Sequence, residues 1–195
     1  MNMSLVVHLI IKYKELLEKE KVKVNIVTST GSIENIKLLE EKKVDVAFVQ
    51  NGVIEKSENL ESLASIYYEP LWIFYNTNIK NLSYIQDLEN KKIAIGEEGS
   101  GTKDLALNIL NINGIYEKNS SFYSYNSKKA IEKLLNKKID ALFLVTSADS
   151  KIIKELLNNK EISLFSFNRA NAYSRKFHYL NALDLHEGTI DLLQN

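Results

Sequence analysis

Apolar residues recur at helical spacing from the start of the chain. Leu5, Leu9, Tyr13 and Leu16, flanked by Val6, Ile10 and Leu17, form the stripe of an amphipathic helix. The period then changes. Residues 22–28 (VKVNIVT) alternate as a strand does, the turn Ser29-Thr30-Gly31-Ser32 follows, and IENIKLLEEKK returns to helical spacing. Residues 44–49 (VDVAFV) are almost continuously apolar, as expected of a strand covered on both faces of a parallel sheet, and Gln50-Asn51-Gly52 ends them. ESLASIYYEPLWIFYN, broken only by Pro70, reads as a long strand or a strand pair.

The pattern restarts after Asp87. KKIAIG is a strand, EEGSGT a turn, KDLALNILNIN a helix and Gly114 its C-terminal cap. Strand FYSYN, helix SKKAIEKLLNKK, strand IDALFLV, the turn at residues 146–150, helix KIIKELLNN and strand ISLFSFN complete the alternation. Helix and strand in turn predict an α/β fold with parallel strands.

The chain also repeats itself. At an offset of 95, residues 31–50 lie over residues 126–145 without a gap, and Ser32/Ser127, Ile36/Ile131, Leu39/Leu134, Lys42/Lys137, Lys43/Lys138, Asp45/Asp140 and Phe48/Phe143 are identical. Helix, turn and buried strand coincide in order and length, so two similar lobes are expected. The same offset carries helix 103–113 onto 8–18, where the first stripe was found. It carries strand KKIAIG and its turn to a span that begins before Met1, so the first lobe is expected to lack its first strand.

Composition narrows the function. With 25 basic and 25 acidic residues, the chain has no net field to recruit nucleic acid or an anionic membrane surface. Cysteine is absent, which removes disulfides, thiolate metal sites and cysteine nucleophiles. His8, His178 and His186 sit in unrelated contexts without a zinc-hydrolase partner, and no metal or cofactor is expected. No apolar run approaches the ~18 residues of a membrane span. His8 interrupts the first apolar run and charges follow it, so no signal peptide is read there. No GxSxG elbow or comparable nucleophile motif stands out, and no enzyme is expected.

The most informative turn is GEEGSGTKD, residues 96–104. It departs from the P-loop and dinucleotide patterns, and Glu97 and Glu98 oppose phosphate. Its helix N-terminus, with Ser100 and Thr102 hydroxyls between Gly99 and Gly101, suits a carboxylate; a plain capped turn is the alternative. Thr30-Gly31-Ser32 repeats that logic in the first lobe. Gln50-Asn51 and Thr146-Ser147 end the repeated strands, where open α/β sheets place ligands, though turn formation explains them as well. Tyr67, Tyr68 and Glu69 stand where one lobe gives way to the next and suit a pocket wall, whereas Trp72 reads as core.

Together TSTGSIENIKLLEEKKVDVAFVQ, ESLASIYYEPLWIFY, DLENKKIAIGEEGSGTKDLALNILNINGI, LLNKKIDALFLV and SLFSFNRANAYSRKFHYLNALDLHEGTIDL resemble the TAXI-type solute-binding proteins of tripartite ATP-independent periplasmic (TRAP) transporters. The resemblance implies a two-lobed, type II periplasmic binding fold, with lobe one at 1–76 plus 168–195 and lobe two at 77–167. It implies hinge closure on a small organic acid or amino acid such as glutamate, delivery to membrane permease subunits, and a periplasmic or other extracytoplasmic location. Residue by residue it points to Thr30, Gly31, Ser32, Gln50, Tyr67, Tyr68, Glu69 and the turn Gly99, Ser100, Gly101, Thr102 as cleft positions. Arg169 and Arg175 are candidates for a charged ligand or a hinge contact, Arg175 being read rather as a surface residue. Family members carry an exported leader and a first strand with a glycine-rich ligand loop, and continue past residues 190–193; the chain departs from them in each respect. A sensory module of the same fold, a remnant that binds nothing and, more distantly, a small hydrolase are the other readings.

Overall fold

A computed structural model describes residues 5–53, 59–80, 82–186 and 188. The expectation about residues 190–193 lies outside them. Two helices come first, α1 (Leu5–Lys19) and α2 (Ser32–Glu40). Next are β1 (Leu71–Asn76), a short 3-10 helix (Ile85–Leu88), β2 (Lys92–Ala94), α3 (Gly101–Ile112), β3 (Ser121–Tyr123), α4 (Ser127–Leu135), β4 (Ala141–Val145), α5 (Lys151–Leu157), β5 (Ile162–Leu164) and α6 (Ala170–Lys176).

The five strands form one sheet in the order β3-β2-β4-β1-β5. β2 is parallel to β3 and β4, but β1 runs antiparallel to both β4 and β5. The expected all-parallel sheet is therefore corrected to a mixed one. β1 enters from Pro70 with no helix between residues 41 and 70 among the described residues, and an antiparallel ladder from Leu71↔Val145 to Tyr75↔Ala141 needs no helical crossover.

Side chains alternate across this sheet and build a core on each face. Ile73, Ile93, Ile95 and Phe143 meet Ile109 and Leu110 of α3 and Ile85 and Leu88 of the 3-10 helix. Trp72, Phe74, Ala94, Leu142 and Leu144 meet Ala130 and Leu134 of α4 and Ile153 and Leu156 of α5. Trp72 is core, as expected, and its indole N–H donates to the Thr146 carbonyl at 2.9 Å. α6 closes the first face, with Phe167, Tyr173 and Phe177 against the core. Tyr173 there donates its hydroxyl to Asn113.

Three expected strands do not form. Residues 22–28, 44–49 and 61–69 have no ladder partner among the described residues. The local pattern is right for a strand, but a strand is a pairing, and among the described residues these segments have no neighbour to pair with. Packing follows suit. Every buried apolar side chain among the described residues lies between Trp72 and Phe165, while Val46 is 66% and Leu63 84% exposed.

The internal repeat survives to the level of single hydrogen bonds. α2 and α4 have the same length and the same boundaries at the offset of 95. Each ends on a lysine at positive φ, Lys42 (56°) and Lys137 (55°). Lys43 N–H to Leu38 O and Lys138 N–H to Lys133 O are both 2.8 Å, and Val44 N–H to Leu38 O and Ile139 N–H to Lys133 O both 3.4 Å.

Candidate functional site

Three helix N-termini lie close together, and helix starts present backbone N–H groups that have no carbonyl partner within the helix. α3 begins at Ser100, whose Oγ accepts from Lys103 N–H at 3.2 Å. α4 begins at Asn126, whose Oδ1 accepts from Lys129 N–H at 2.9 Å. α2 begins at Gly31, with φ 148° and no side-chain cap. These caps satisfy one amide each, and the N–H groups of Gly101, Thr102, Ser127 and Lys128 have no hydrogen-bond partner among the described residues.

Between α3 and α4 opens a cleft of about 90 Å³ at the carboxyl ends of β2 and β4. Gly96, Ser100 and Thr102 line one side, Tyr125, Asn126 and Ser127 the other, and Phe143 belongs to its wall. The cleft is edged by Glu97, but the neighbouring acid is neutralised. Glu98 pairs with the Lys103 ammonium, and that hydrogen bond is the main reason its carboxyl ionises below the usual range. Gly96 is needed here: its φ is 101°, and a β-carbon would lie 3.0 Å from Lys103 N and Thr102.

The turn of α2 faces the turn of α3. A β-carbon on Gly31 would sit 3.1 Å from the Gly99 carbonyl oxygen, and one on Gly99 would lie 3.7 Å from Thr30 Oγ1. Thr30 itself is engaged locally, since its N–H and its hydroxyl both donate to Glu34 Oε2 at 2.7 Å. Those two bonds, the backbone one foremost, lower the Glu34 pKa. Ser32 is buried and its Oγ accepts from Gln50 N–H at 3.0 Å, which pins the end of segment 44–50 to α2.

Gln50 reaches further. Its side chain covers Gly101, and its Nε2 donates to Glu69 Oε2 at 3.3 Å. Tyr67 donates its hydroxyl to the other carboxylate oxygen, also at 3.3 Å. Burial, followed by the Glu69 charge, pushes the Tyr67 phenol up to about 12. Gln50, Tyr67 and Glu69 are thus one group, seated on the first residue of α3.

Of the sequence candidates, Thr30, Gly31, Ser32, Gln50, Tyr67, Glu69, Gly99, Ser100, Gly101 and Thr102 are brought together around the start of α3. Three are not. Tyr68 is 65% exposed and outside the hydrogen-bonded group. Thr146 contributes its carbonyl to Trp72 and its N–H to Pro70 O. Arg169 stacks its guanidinium 4.5 Å from the Tyr84 ring centroid, at the start of α6. Arg175 is exposed, as expected. Tyr125, Asn126 and Ser127 were missed, although the repeat itself signals two of them by laying Gly31-Ser32 over Asn126-Ser127. Among the described residues no three His, Asp or Glu side chains gather as metal ligands would, and no helix is long and apolar enough to cross a membrane.

The chain matches the NMT1-like family over residues 6–190. Its fold is shared by an ancestral arginine-binding protein bound to arginine, at 17% identity and a TM-score of 0.58, covering 80% of this chain and 67% of that one. An amino acid ABC transporter substrate-binding protein from Streptococcus pneumoniae bound to L-arginine matches at 18% and 0.55, over 81% and 64%. The periplasmic aliphatic sulphonate binding protein from Escherichia coli matches at 17% and 0.53, over 85% and 61%. At these identities the likeness is one of fold, and the fold is the mixed α/β type of periplasmic binding proteins. The chain spans about two thirds or less of the length of these structures.

Proposed function

We propose a function from a firm premise: the chain belongs to the NMT1-like family. It captures a small organic acid or amino acid of glutamate-like chemistry in a cleft between two lobes. One observation carries the reading: the α2 and α3 turns meet across the lobe boundary at Gly31 and Gly99, beside a 90 Å³ cleft lined by residues 96–144 of the second lobe. A carboxylate placed there accepts from free backbone N–H groups and meets the positive ends of helix dipoles. An ammonium group finds its acceptor in Glu69, which Gln50 and Tyr67 orient beside Gly101. Solved relatives in fold that bind arginine support an amino-acid ligand.

We place the lobes at 1–76 plus 168–195 and at 77–167, with two qualifications from the packing. β1 lies in the sheet of the second lobe, and α6 rests on that lobe's core. In this reading Gln50 over Gly101 is a closure contact between lobes. The TRAP-type permease partner and the extracytoplasmic location belong to the same proposal, drawn from the sequence resemblance.

The test is a thermal-shift and calorimetric screen of glutamate, glutamine, arginine, 2-oxoglutarate, C4-dicarboxylates and an alkanesulfonate. One carboxylate ligand should stabilise the chain by about 2.7 kcal/mol at a hundredfold excess over its Kd. Silence across the panel overturns the proposal. Binding of the sulfonate alone would replace the ligand class.

A further inference from the structure

We propose that Asn51 is a site of spontaneous deamidation, and that the carboxylate formed there loosens the seat of residues 50–53 on α3. The proposal is independent of which ligand the cleft takes.

Asparagine is chemically labile, most of all before glycine, where no side chain hinders attack by the next backbone nitrogen. The Asn-Gly pair occurs twice in the chain, at Asn51-Gly52 and at Asn113-Gly114. The two are held very differently. The Asn113 side chain is engaged at both ends: its Nδ2 donates to Ile109 O at 2.7 Å, and its Oδ1 accepts from the Tyr173 hydroxyl at 2.9 Å. The nitrogen that would attack it is engaged too, since Gly114 N–H donates to Asn111 O at 3.0 Å. Asn51 is exposed, and among the described residues neither its side-chain amide nor the Gly52 N–H has a hydrogen-bond partner. No hydrogen bond has to open before Gly52 N reaches Asn51 Cγ.

Packing also keeps the reactive pair intact. Gly52 has a φ of 85°, and a β-carbon there would fall 2.4 Å from the Tyr179 ring. A bulkier residue after Asn51, which would slow the cyclisation, has neither the backbone conformation nor the room.

The reaction needs only water and hydroxide. Gly52 N gives up its proton to hydroxide and bonds to Asn51 Cγ. The Cγ–Nδ2 bond breaks, and ammonia leaves with a proton taken from water. Water then opens the cyclic imide at one of its two carbonyls, leaving aspartate or isoaspartate. The sum is an amide and a water converted to a carboxylate and ammonia, without oxidation or reduction.

The new charge falls in an unfavourable place. Asn51 and Gly52 line one narrow crevice with Gly101 and Asp104 of α3 and with Tyr179. Asp104 is partly buried there; burial pushes its carboxyl up against the pull of Lys103, and Glu98 adds to the rise. A second carboxylate in the crevice repels the first. The segment it strains is the one whose Gln50 covers Gly101.

The full 195-residue chain, aged at mildly alkaline pH and mapped by mass spectrometry with separation of aspartate from isoaspartate, tests the site. Asn51 should deamidate faster than Asn113 by about tenfold or more, because the hydrogen bonds at Asn113 and Gly114 must open first. In urea the two rates should converge. Tyr173→Phe should speed Asn113 and leave Asn51 unchanged. Asn51→Asp should lower the thermal midpoint, and the loss should shrink in the Asp104→Asn background, as a double-mutant cycle reads it. Equal rates at the two sites in the folded chain overturn the proposal, as does a difference that persists in urea, which would trace it to neighbouring sequence. An Asn51→Asp loss that is undiminished in the Asp104→Asn background overturns the repulsion.

Discussion

The side chain of Gln50 lies across Gly101 so closely that a β-carbon at Gly101 would fall 1.8 Å from Gln50 Oε1. The glycine lets segment 44–50 reach the first turn of α3, and Gln50 carries the contact on to Glu69. Gly101 has no positive φ, so its role is space and not backbone freedom. Gly101→Ala should therefore displace Gln50, lowering stability by only about 1 kcal/mol because a side-chain end is free to move. Ligand affinity should fall by considerably more. Urea unfolding compared with calorimetric titration separates the two effects.

Gly31 presents the opposite case, since both its φ of 148° and the backbone carbonyl of Gly99 exclude a side chain. Neither obstacle is a flexible group. Gly31→Ala should destabilise by about 1–3 kcal/mol through backbone strain and should separate the α2 and α3 turns. Chemical denaturation checks the first, and loss of any ligand-induced thermal shift checks the second.

Phe143 and Phe48 are the same residue at the same position of the repeat, yet Phe143 is 2% exposed and Phe48 only partly buried, against Tyr13. Phe143→Ala should cost about 3–5 kcal/mol, the range for emptying a packed aromatic site. Phe48→Ala should cost about 1 kcal/mol. Equal losses in denaturant midpoints at unchanged m would contradict the packing described.

The phenol of Tyr67 titrates near 12, above its ordinary value of 10.0, with burial the first cause and Glu69 the second. Its folded pKa is raised, so the stabilisation is fully present below about pH 10 and declines as pH rises through about 12. Ultraviolet titration of the wild-type chain and of Tyr67→Phe should locate one phenol in that window. Glu69→Gln should lower the value while leaving it above 10, because the burial remains.

The helices and their caps were open to sequence reading because each depends on residues within about four positions, and the repeat because the chain can be laid over itself. Ser100, Asn126 and Ser150 cap where small polar residues precede a helical stripe, and Gly114 follows α3 at positive φ. The turns that gather at the start of α3 were also found, since a glycine between hydroxyl residues at a strand-to-helix passage is a local signal. Tyr68 stands exposed outside the group, Thr146 bonds to Trp72 and Pro70, and Arg169 lies over the Tyr84 ring. Sequence adjacency does not fix which way a side chain faces.

What the sequence determined by itself was the α/β alternation, the presence and approximate spans of α1 to α5 and two copies of one unit related by 95 residues. What only the tertiary structure decided was which apolar segments become strands. Residues 44–49 and 139–145 carry the same pattern, yet β4 alone is paired and buried. A helix closes its hydrogen bonds within itself, whereas a strand closes them only on a neighbour, and pattern alone does not say whether that neighbour is there.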